Sequence, residues 1–548
     1  MKKVIGKRII SLVLAALICV SVSGGMPAYA ADLEEGTTVT ADASSPTGYT
    51  VQFVYKNETA EKVQLCGDLS LLKTANIGTS DSAIRYEPED WQTGMYHTGG
   101  KEFIREMVKD ENGYWTATIP MHAGALSYWY RVWDSSKEWV NKRIWDPTSS
   151  HVRPTATDPD DNGTPYRVRN NDVLDAVYVP YDAKQNDEAL LSRATYELPI
   201  ADPDKKGTVQ YIPYTTVLGD EGYMLGVYLP AGYDPDREEP YKVVYAAHGI
   251  FGDETDWMVP GSTPHILDNM IARGEIEPTV FVTMGNHFTG RTMGFASYNR
   301  DNAAKNLVET ILPKIEADFN VSSDRTGRGY IGFSMGSMTG AAVLEKYADE
   351  FAYYGLFCGS GTYNDGVYDN IVKISGTKVP SIFMGRGSFE GDLKALNVIR
   401  DNFRARGIPS ETALVPGAHD MMTAGQLFTM FAKDYLWKEI EANPFTILSD
   451  DNTLDRSGGN ITATVKVDLT EGVDTHSGDE VVIFQLMKGD TPVSIVGLKR
   501  DITTQEEFTA YFNVDAKDTT YSVKVFVFDS FNSDLTAPVS LAAQKVLK

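Results

Sequence analysis

The chain has 548 residues, of which 42% are apolar, and a formal net charge of −25. This length predicts three or four domains with real hydrophobic cores. Nucleic acids and anionic membranes attract clustered Lys and Arg, so the acidic balance argues against both as partners and favours a neutral substrate.

The N-terminal residues have the pattern of an export signal. Basic residues precede an apolar run from Ile9 to Val20, and small residues lead to Ala28-Tyr29-Ala30. We therefore predict a signal peptide over residues 1–30, cleaved near Ala30, and a secreted, extracellular bacterial protein. No later stretch approaches the ~18 apolar residues that a spanning helix needs.

Residues 45–150 alternate apolar and polar residues in short runs, as in Val51 to Tyr55 and Trp115 to Ile119, and predict a small all-β sandwich. Most of the tryptophans lie here. Exposed rings would suit stacking on sugar faces, and packing in the core or at a domain interface is an equally good explanation. The tryptophans concerned are Trp91, Trp115, Trp129, Trp133, Trp139 and Trp145.

Residues 151–205 are rich in Asp, Pro, Asn and Thr and predict a connector.

Residues 206–440 alternate apolar strands with helices. This pattern predicts a mostly parallel sheet with helices on both faces and a ligand site at the carboxyl ends of the strands. The strands predicted for the parallel sheet are Lys242 to Ala247, Thr279 to Met284, Arg328 to Phe333, Tyr353 to Cys358 and Val379 to Met384.

After Pro444 the period of the apolar residues returns to two, and residues 445–548 predict a second β-sandwich, of immunoglobulin type.

The segment Gly332-Phe333-Ser334-Met335-Gly336 follows one of these strands and opens a helix of small residues. Strand, sharp turn and helix are the context that a nucleophile elbow needs, with Ser334 as the nucleophile. The glycines fit this turn because it is strained and because side chains there would collide with the adjoining strand and helix. We therefore predict an α/β-hydrolase domain flanked by two all-β, immunoglobulin-like sandwich domains.

A serine nucleophile needs a histidine to take its proton and an acid to orient that histidine. In this fold the chain order is serine, acid, histidine, and His419 lies in a Gly-rich loop before the last predicted helix. The acid should follow the strand Val379 to Met384. Glu390 is preferred for its spacing, and Asp392 is the alternative, although it could instead cap the next helix.

The oxyanion that develops during acyl transfer needs backbone N–H donors. The amide of Met335 supplies one from the elbow, and the loop after the strand Lys242 to Ala247 suggests Ile250 for the second. We expect His248 to order that loop and to take no part in proton transfer.

Other motifs are weaker. The glycines from Gly327 to Gly332 match a dinucleotide fingerprint, but they run through a strand when they should open a helix. No group of His and Cys residues has metal-ligand spacing, so we predict chemistry without a cofactor or metal. Cys66 and Cys358 fall in different predicted domains and are predicted to be two buried thiols.

With these residues assembled, residues 206–440 resemble carbohydrate esterase family 1, which contains feruloyl esterases and acetyl xylan esterases, and the related esterase D type enzymes. The resemblance rests on His248-Gly249, the elbow segment and Gly417-Ala418-His419-Asp420. The acid loop departs from the family's Gly-x-x-Asp. Residues 45–150 resemble the early-set, family 48 type carbohydrate-binding modules. The resemblance implies hydrolysis of ferulate or acetate esters on plant cell-wall xylan, through an acyl-enzyme on the elbow serine.

The acyl group is a separate question. A feruloyl ring needs an apolar slot, and Phe251, Trp257 and Phe288 lie in predicted loops that would provide one, unless they are ordinary packing residues. We favour a feruloyl esterase acting on xylan or arabinoxylan, with acetyl xylan esterase as the alternative. From other classes, the chain could be a non-catalytic glycan-binding surface protein or an acyltransferase. The complete set of nucleophile, base and acid argues against the binding protein, whereas hydrolysis in water without an added acceptor would argue against the acyltransferase.

Overall fold

The computed structural model describes most of the chain from residue 33 to residue 548, and the predicted signal peptide lies outside the described residues. In the described part, no helix is long and apolar enough to cross a membrane. The residues left out after residue 32 are 74–84, 99–101, 136–142, 155–173, 251, 287–297, 360, 362, 376–377, 405, 441–442, 450, 471–472, 474–475, 490 and 531–539.

The first described region is built from antiparallel strands. They are β1 (Gly36–Ala41), β2 (Tyr49–Lys56), β3 (Lys62–Gly67), β4 (Ser70–Lys73), β5 (Met95–Thr98), β6 (Phe103–Glu106), β7 (Val108–Lys109), β8 (Tyr114–Pro120), β9 (Gly124–Trp133) and β10 (Asp175–Val179). One sheet has the order β1-β2-β8-β7 and the other β10-β9-β3-β6, while β4 and β5 form a separate hairpin. Val51 and Phe53 of the first sheet share a buried core with Leu65 and Tyr130 of the second, because alternate residues of each strand face inward.

The tryptophans of this region divide between interior and partly exposed positions. Three are at most 5% exposed and belong to the interior: Trp91, Trp115 and Trp129. Two are half-buried and have a cation over the ring: Trp133 and Trp145. Trp139 lies outside the described residues. The packing explanation is therefore correct for the first three.

The range predicted as a connector contains regular structure where it is described. Strand β10 pairs with β9, and helix α1 (Glu188–Glu197) follows it. On α1, Arg193 and Glu197 form a buried ion pair at 2.9 Å, and both side chains bond to the backbone of Ala125 in β9. These bonds hold the helix on the first region, a relationship that composition alone did not indicate.

The next region forms a single eight-stranded sheet. Its strands are β11 (Thr208–Tyr214), β12 (Tyr223–Leu229), β13 (Lys242–Ala247), β14 (Thr279–Met284), β15 (Arg328–Phe333), β16 (Tyr353–Phe357), β17 (Ser381–Gly387) and β18 (Ser410–Val415). Their order is β11-β12-β14-β13-β15-β16-β17-β18. Strand β12 is antiparallel to both neighbours, and the strands from β13 to β18 are parallel. The predicted, mostly parallel sheet is confirmed.

Helices cover both faces of this sheet. They are α2 (Thr263–Ala272), α3 (Arg300–Asn306), α4 (Leu312–Asp318), α5 (Met335–Tyr347), α6 (Asp365–Ser375), α7 (Lys394–Arg404) and α8 (Met421–Asp434), with a π-helical turn at Leu307–Ile311. Alternate residues of β13 enter two different cores. Val243 and Tyr245 pack with residues of α3 to α7, whereas Val244 and Ala246 pack with residues of α2 and α8.

The parallel strands bring four loops to one edge of the sheet. Because β13, β15, β17 and β18 run in the same direction, their carboxyl ends lie along the same edge. The loops there begin at His248, Ser334, Ser388 and Pro416. Each of the predicted nucleophile, acid, base and oxyanion loops therefore starts at this edge.

The last region is again all-β. Its strands are β19 (Phe445–Leu448), β20 (Ile461–Leu469), β21 (Glu480–Lys488), β22 (Thr491–Arg500), β23 (Glu506–Phe512), β24 (Tyr521–Phe528) and β25 (Lys545–Leu547). They form sheets of order β19-β20-β23 and β22-β21-β24-β25 around a core of their own that includes Val465 and Phe484. Contacts join Glu35–Lys548 into one unit. The immunoglobulin-like assignments and the five-part division of the chain stay predictions.

Candidate active site

Ser334 lies at a strained turn between β15 and α5. Its backbone has φ 52° and ψ −109°, in the left-handed half of the map that residues with a side chain rarely occupy. A Cβ on Gly332 would lie 2.3 Å from the carbonyl carbon of Gly336, and one on Gly336 would lie 2.2 Å from the carbonyl oxygen of Ala247. Both glycines are therefore needed for strand β15, helix α5 and strand β13 to approach so closely.

The imidazole of His419 bridges Ser334 and Glu390. Its Nδ1 lies 2.6 Å from Oε1 of Glu390, and its Nε2 lies 2.8 Å from Oγ of Ser334. The carboxylate only accepts, so Nδ1 carries the proton and Nε2 is free to accept the serine proton. The His419 side chain is 42% exposed, so this nucleophile and base are open to a substrate.

Glu390 ends a short 3-10 turn, Ser388–Glu390, that directly follows β17. Its Oε2 accepts a hydrogen bond of 2.9 Å from the amide of Gly387, and the thiol of Cys358 lies beside the carboxylate. Burial acts to raise the pKa of Glu390, but the hydrogen bond and charge of His419, with the Cys358 and Gly387 donors, outweigh it and lower the pKa. The carboxylate is therefore held ionised, as the partner of a histidine base should be.

The pKa of His419 is displaced in the opposite direction. Burial acts to lower it, but the hydrogen bond and charge of Glu390 and the charge of Asp420 outweigh burial, and the pKa of His419 is raised. A raised pKa makes the imidazole a stronger base towards the serine hydroxyl. The same carboxylates would stabilise the imidazolium that forms when the proton moves.

Asp392, the alternative acid, has other partners. Its Oδ1 accepts from the amide of Lys394 at 3.0 Å, and its Oδ2 pairs with the ammonium group of the same residue at 3.0 Å. The side chain is 53% exposed. The structure thus brings Glu390, and not Asp392, to His419.

The two predicted oxyanion donors are the neighbour of Ser334 in the chain and the neighbour of a glycine that packs on Ser334. Met335 is the first residue of α5, and Ile250 follows Gly249, on which a Cβ would lie 3.4 Å from the Cβ of Ser334. Their donation to an oxyanion stays a prediction.

A hydrogen-bond network holds the loop that carries Ile250. The backbone amide of Asn286 donates to Nε2 of His248 at 3.1 Å, so Nδ1 carries the proton and donates to the carbonyl of Gly249 at 2.5 Å. The Asn286 side chain donates to the carbonyl of His248 at 2.6 Å and accepts from Thr339 of α5 at 3.2 Å. Both ring nitrogens of His248 are engaged, as a loop-ordering role requires. Sequence reasoning missed Asn286 and Thr339.

The predicted aromatic slot needs correction. Trp257 is 0% exposed, its indole N–H donates to the carbonyl of Ala247 at 3.1 Å, and its ring packs edge-on against core phenylalanines. It therefore belongs to the core between the sheet and α8 and is not a substrate-binding residue. Phe251 and Phe288, the other two predicted slot residues, lie outside the described residues.

Asp420, the residue after the histidine, has partners in two regions. Its Oδ1 accepts from the amide of Thr423 at 2.7 Å and caps the first turn of α8. Its Oδ2 accepts a hydrogen bond of 2.5 Å from the hydroxyl of Thr98, at the end of β5. The residue type at position 420 signals the cap, but no sequence signal indicated the contact with Thr98.

A family model described as "Putative esterase" matches residues 218–431. The matched segment is an esterase domain. The match begins before β12 and ends within α8, so it contains Ser334, Glu390 and His419, and it spans less than half of the chain.

Two curated proteins are similar over the same part. An endo-1,4-beta-xylanase/feruloyl esterase of Xylanibacter ruminicola is 29% identical over 242 residues, which are 41% of this chain and 32% of that protein. Endo-1,4-beta-xylanase Y of Acetivibrio thermocellus is 28% identical over 173 residues, 30% of this chain and 15% of that protein. The chain thus spans about a third of the first relative and less than a fifth of the second. Among solved structures, a ferulic acid esterase of Anaeromyces mucronatus in complex with ferulic acid has a TM-score of 0.38 at 23% identity, covering 44% of this chain and 94% of that one.

Proposed function

We propose that this protein is a secreted serine feruloyl esterase that removes ferulate from the side chains of plant cell-wall xylan. The observation that carries the proposal is the His419 imidazole, held by Glu390 at 2.6 Å on one side and facing the Ser334 hydroxyl at 2.8 Å on the other. This is the arrangement in which a serine becomes a nucleophile for acyl transfer.

In the proposed acylation step, Nε2 of His419 takes the hydroxyl proton while Oγ of Ser334 forms a bond to the ester carbonyl carbon. The amides of Met335 and Ile250 donate to the oxygen that becomes negative. The carboxylate of Glu390 stabilises the imidazolium. When the intermediate collapses, Nε2 returns the proton to the departing sugar oxygen, and the acyl group stays on Ser334 as an ester.

Deacylation repeats these steps with water as the nucleophile. His419 takes a proton from the water as its oxygen bonds to the acyl carbon, and then gives that proton to Oγ of Ser334. The carboxylic acid leaves and the hydroxyl is restored. Neither half of the cycle needs a metal or cofactor, because every proton is moved by His419.

The substrate class rests on the relatives and on charge. One relative is named for feruloyl esterase activity, and both are named for xylanase activity. The net charge of −25 suits a neutral polysaccharide better than an anionic polymer. We further propose that the region of β1 to β10 is a carbohydrate-binding module and that the last region is an immunoglobulin-like sandwich.

The test is release of ferulate and of acetate from native arabinoxylan by the purified protein, with Ser334→Ala as the blank. We expect ferulate release that is lost in the variant. Acetate release alone would replace the proposal with an acetyl xylan esterase. Binding of arabinoxylan with no Ser334-dependent product from any ester would overturn hydrolysis and leave a glycan-binding protein.

A further inference from the structure

The β4–β5 hairpin of the first region packs on two loops of the active site. Leu72 of β4 is 0% exposed and forms one buried cluster with Phe389 and Ala418. Phe389 directly precedes the acid Glu390, and Ala418 directly precedes the base His419. A single side chain of the hairpin therefore shares one buried cluster with residues of both loops.

The two loops also bond to each other beneath this contact. The amide of Phe389 donates to the carbonyl of Gly417 at 3.0 Å, and a Cβ on Gly387 would lie 2.3 Å from that same carbonyl oxygen. The acid turn and the histidine loop are thus packed backbone to backbone. A displacement of one loop against the other would disrupt this packing and change the distance between Glu390 and His419.

The adjoining strand of the hairpin adds a polar contact. Thr98 is 0% exposed and Asp420 is 6% exposed, and the 2.5 Å bond between them joins a hydroxyl to a carboxylate in the interior. Buried bonds of this kind, with one ionised partner, are among the stronger hydrogen bonds in proteins. Asp420 follows His419 directly and caps α8, so its position determines where the histidine backbone lies.

We propose that Thr98 is a positioning residue of the active site, which acts through Asp420 to hold His419 at bonding distance from Ser334 and Glu390. The first region is then a structural part of the catalytic centre, whatever glycan it also binds. This inference rests on the proposed function only in assuming that Ser334 and His419 react together.

The test compares variants that remove the Thr98 hydroxyl with one that keeps it. Thr98→Val retains the volume, Thr98→Ala avoids any new steric conflict, and Thr98→Ser retains the donor. The matched control is Thr47→Val in the same region. Thr47 is also 0% exposed and its hydroxyl donates at 2.7 Å to the carbonyl of Tyr49, far in sequence from the active-site loops.

Four quantities are measured for each variant. They are kcat and KM for p-nitrophenyl acetate, the rate at which a fluorophosphonate labels Ser334, and the melting temperature. We expect Thr98→Val and Thr98→Ala to lower kcat and the labelling rate by about tenfold with KM unchanged, because a charged acceptor loses a buried donor. Thr98→Ser should restore most of both rates. Thr47→Val should lower only the melting temperature.

Equal behaviour of the Thr98 and Thr47 variants in kcat and labelling would overturn the inference and reduce Thr98 to a stabilising residue. The labelling rate separates this inference from the proposed function. Labelling that depends on Thr98 in a protein that releases no ferulate would overturn the substrate and uphold the positioning role. Ferulate release that is indifferent to the Thr98 hydroxyl would do the reverse.

Discussion

The thiol of Cys358 lies beside the carboxylate of Glu390, and each group shifts the pKa of the other. Cys358 follows strand β16, is 5% exposed and has a backbone φ of 51°. Its amide donates to the carbonyl of Gly385 at 2.7 Å, which ties the backbone of Cys358 to strand β17. Burial, together with the charge of Glu390, raises the pKa of the Cys358 thiol well above its usual range. Cys358 and Cys66 are both buried and free, as predicted.

Replacing this thiol should reduce activity through the acid. Because Cys358→Ala removes a polar group that favours the ionised form of Glu390, we expect kcat on p-nitrophenyl acetate to fall by about three- to tenfold. Cys358→Ser keeps a donor of similar reach and should stay near the native rate. Equal rates for the native protein and the Ala variant, at matched stability, would show that His419 and Gly387 suffice to position Glu390 and keep it ionised.

The two candidate acids should respond very differently to neutral substitution. Glu390→Gln removes the charge that orients His419 and stabilises the imidazolium, so kcat should fall by about 10³ or more. Asp392→Asn changes an exposed carboxylate that bonds to Lys394, and kcat should stay within about twofold. Steady-state kinetics on methyl ferulate measure both. A large loss in Asp392→Asn alone would exchange the two roles.

The pH profile should report the ionisation of His419. The imidazole must be neutral to accept the serine proton, so kcat/KM should rise with pH as His419 loses its own proton. Because its pKa is raised from 6.5, the midpoint of this rise should lie above pH 6.5. Glu390→Gln removes the main cause that raises the pKa of His419 and leaves burial, which lowers it. The midpoint of the rise in the residual kcat/KM should therefore shift to lower pH. An unmoved midpoint would show that another group controls the acid limb.

Acid should destabilise the first region through His97, which precedes Thr98. Burial lowers the pKa of His97 to about 4, from 6.5. Between these values the unfolded chain binds a proton that the folded chain does not, so stability is full above pH 6.5 and is lost as the pH falls towards 4. The loss amounts to roughly 3 kcal/mol. The pKa of buried His122 is also lowered, mainly by burial and further by the charge of His97. His122 therefore also destabilises the folded state as the pH falls.

His97→Asn removes this titration and keeps a donor near Nδ1, which bonds to the carbonyl of Leu69 at 2.7 Å. Urea midpoints, followed by tryptophan fluorescence, should fall less steeply between pH 6.5 and 4 in this variant than in the native protein. Burial and the charge of Asp420 raise the pKa of Asp68 to about 7, so Asp68 stabilises the folded state as the pH falls. Asp68 is present in both proteins, and its contribution cancels when the variant is compared with the native protein. Parallel pH dependences would contradict the prediction.

The central sheet could be predicted because its strands are buried on both faces. Strands β13, β14 and β15 have the predicted bounds, since an uninterrupted apolar run with a turn at each end has few other solutions. The helix α2 and the helix α1 were not predicted. Both depend on polar contacts with distant segments, such as the pair of Arg193 and Glu197 on β9, and periodicity does not report these.

In the active site, the sequence indicated Ser334 and His419 because their local motifs carry the geometry of a turn or a loop. The acid was ambiguous. Glu390 and Asp392 are two residues apart, and only the 3-10 turn, which directs one side chain inward and leaves the other in solvent, distinguishes them. Trp257 was wrongly predicted to bind substrate because the residue type at a loop position does not show how deeply the side chain is buried. Thr98 carried no signal at all.

Thr98 and Asp420 are separated by 322 positions in the chain, and this distance has a consequence for folding. Contacts between remote segments form late, because the intervening chain must first be ordered. The sheet and the elbow can therefore form before the hairpin docks on the histidine loop. A newly made or refolding molecule would pass through a stage with an exposed serine and a poorly oriented base, and recovery of its reactivity should lag behind recovery of its secondary structure.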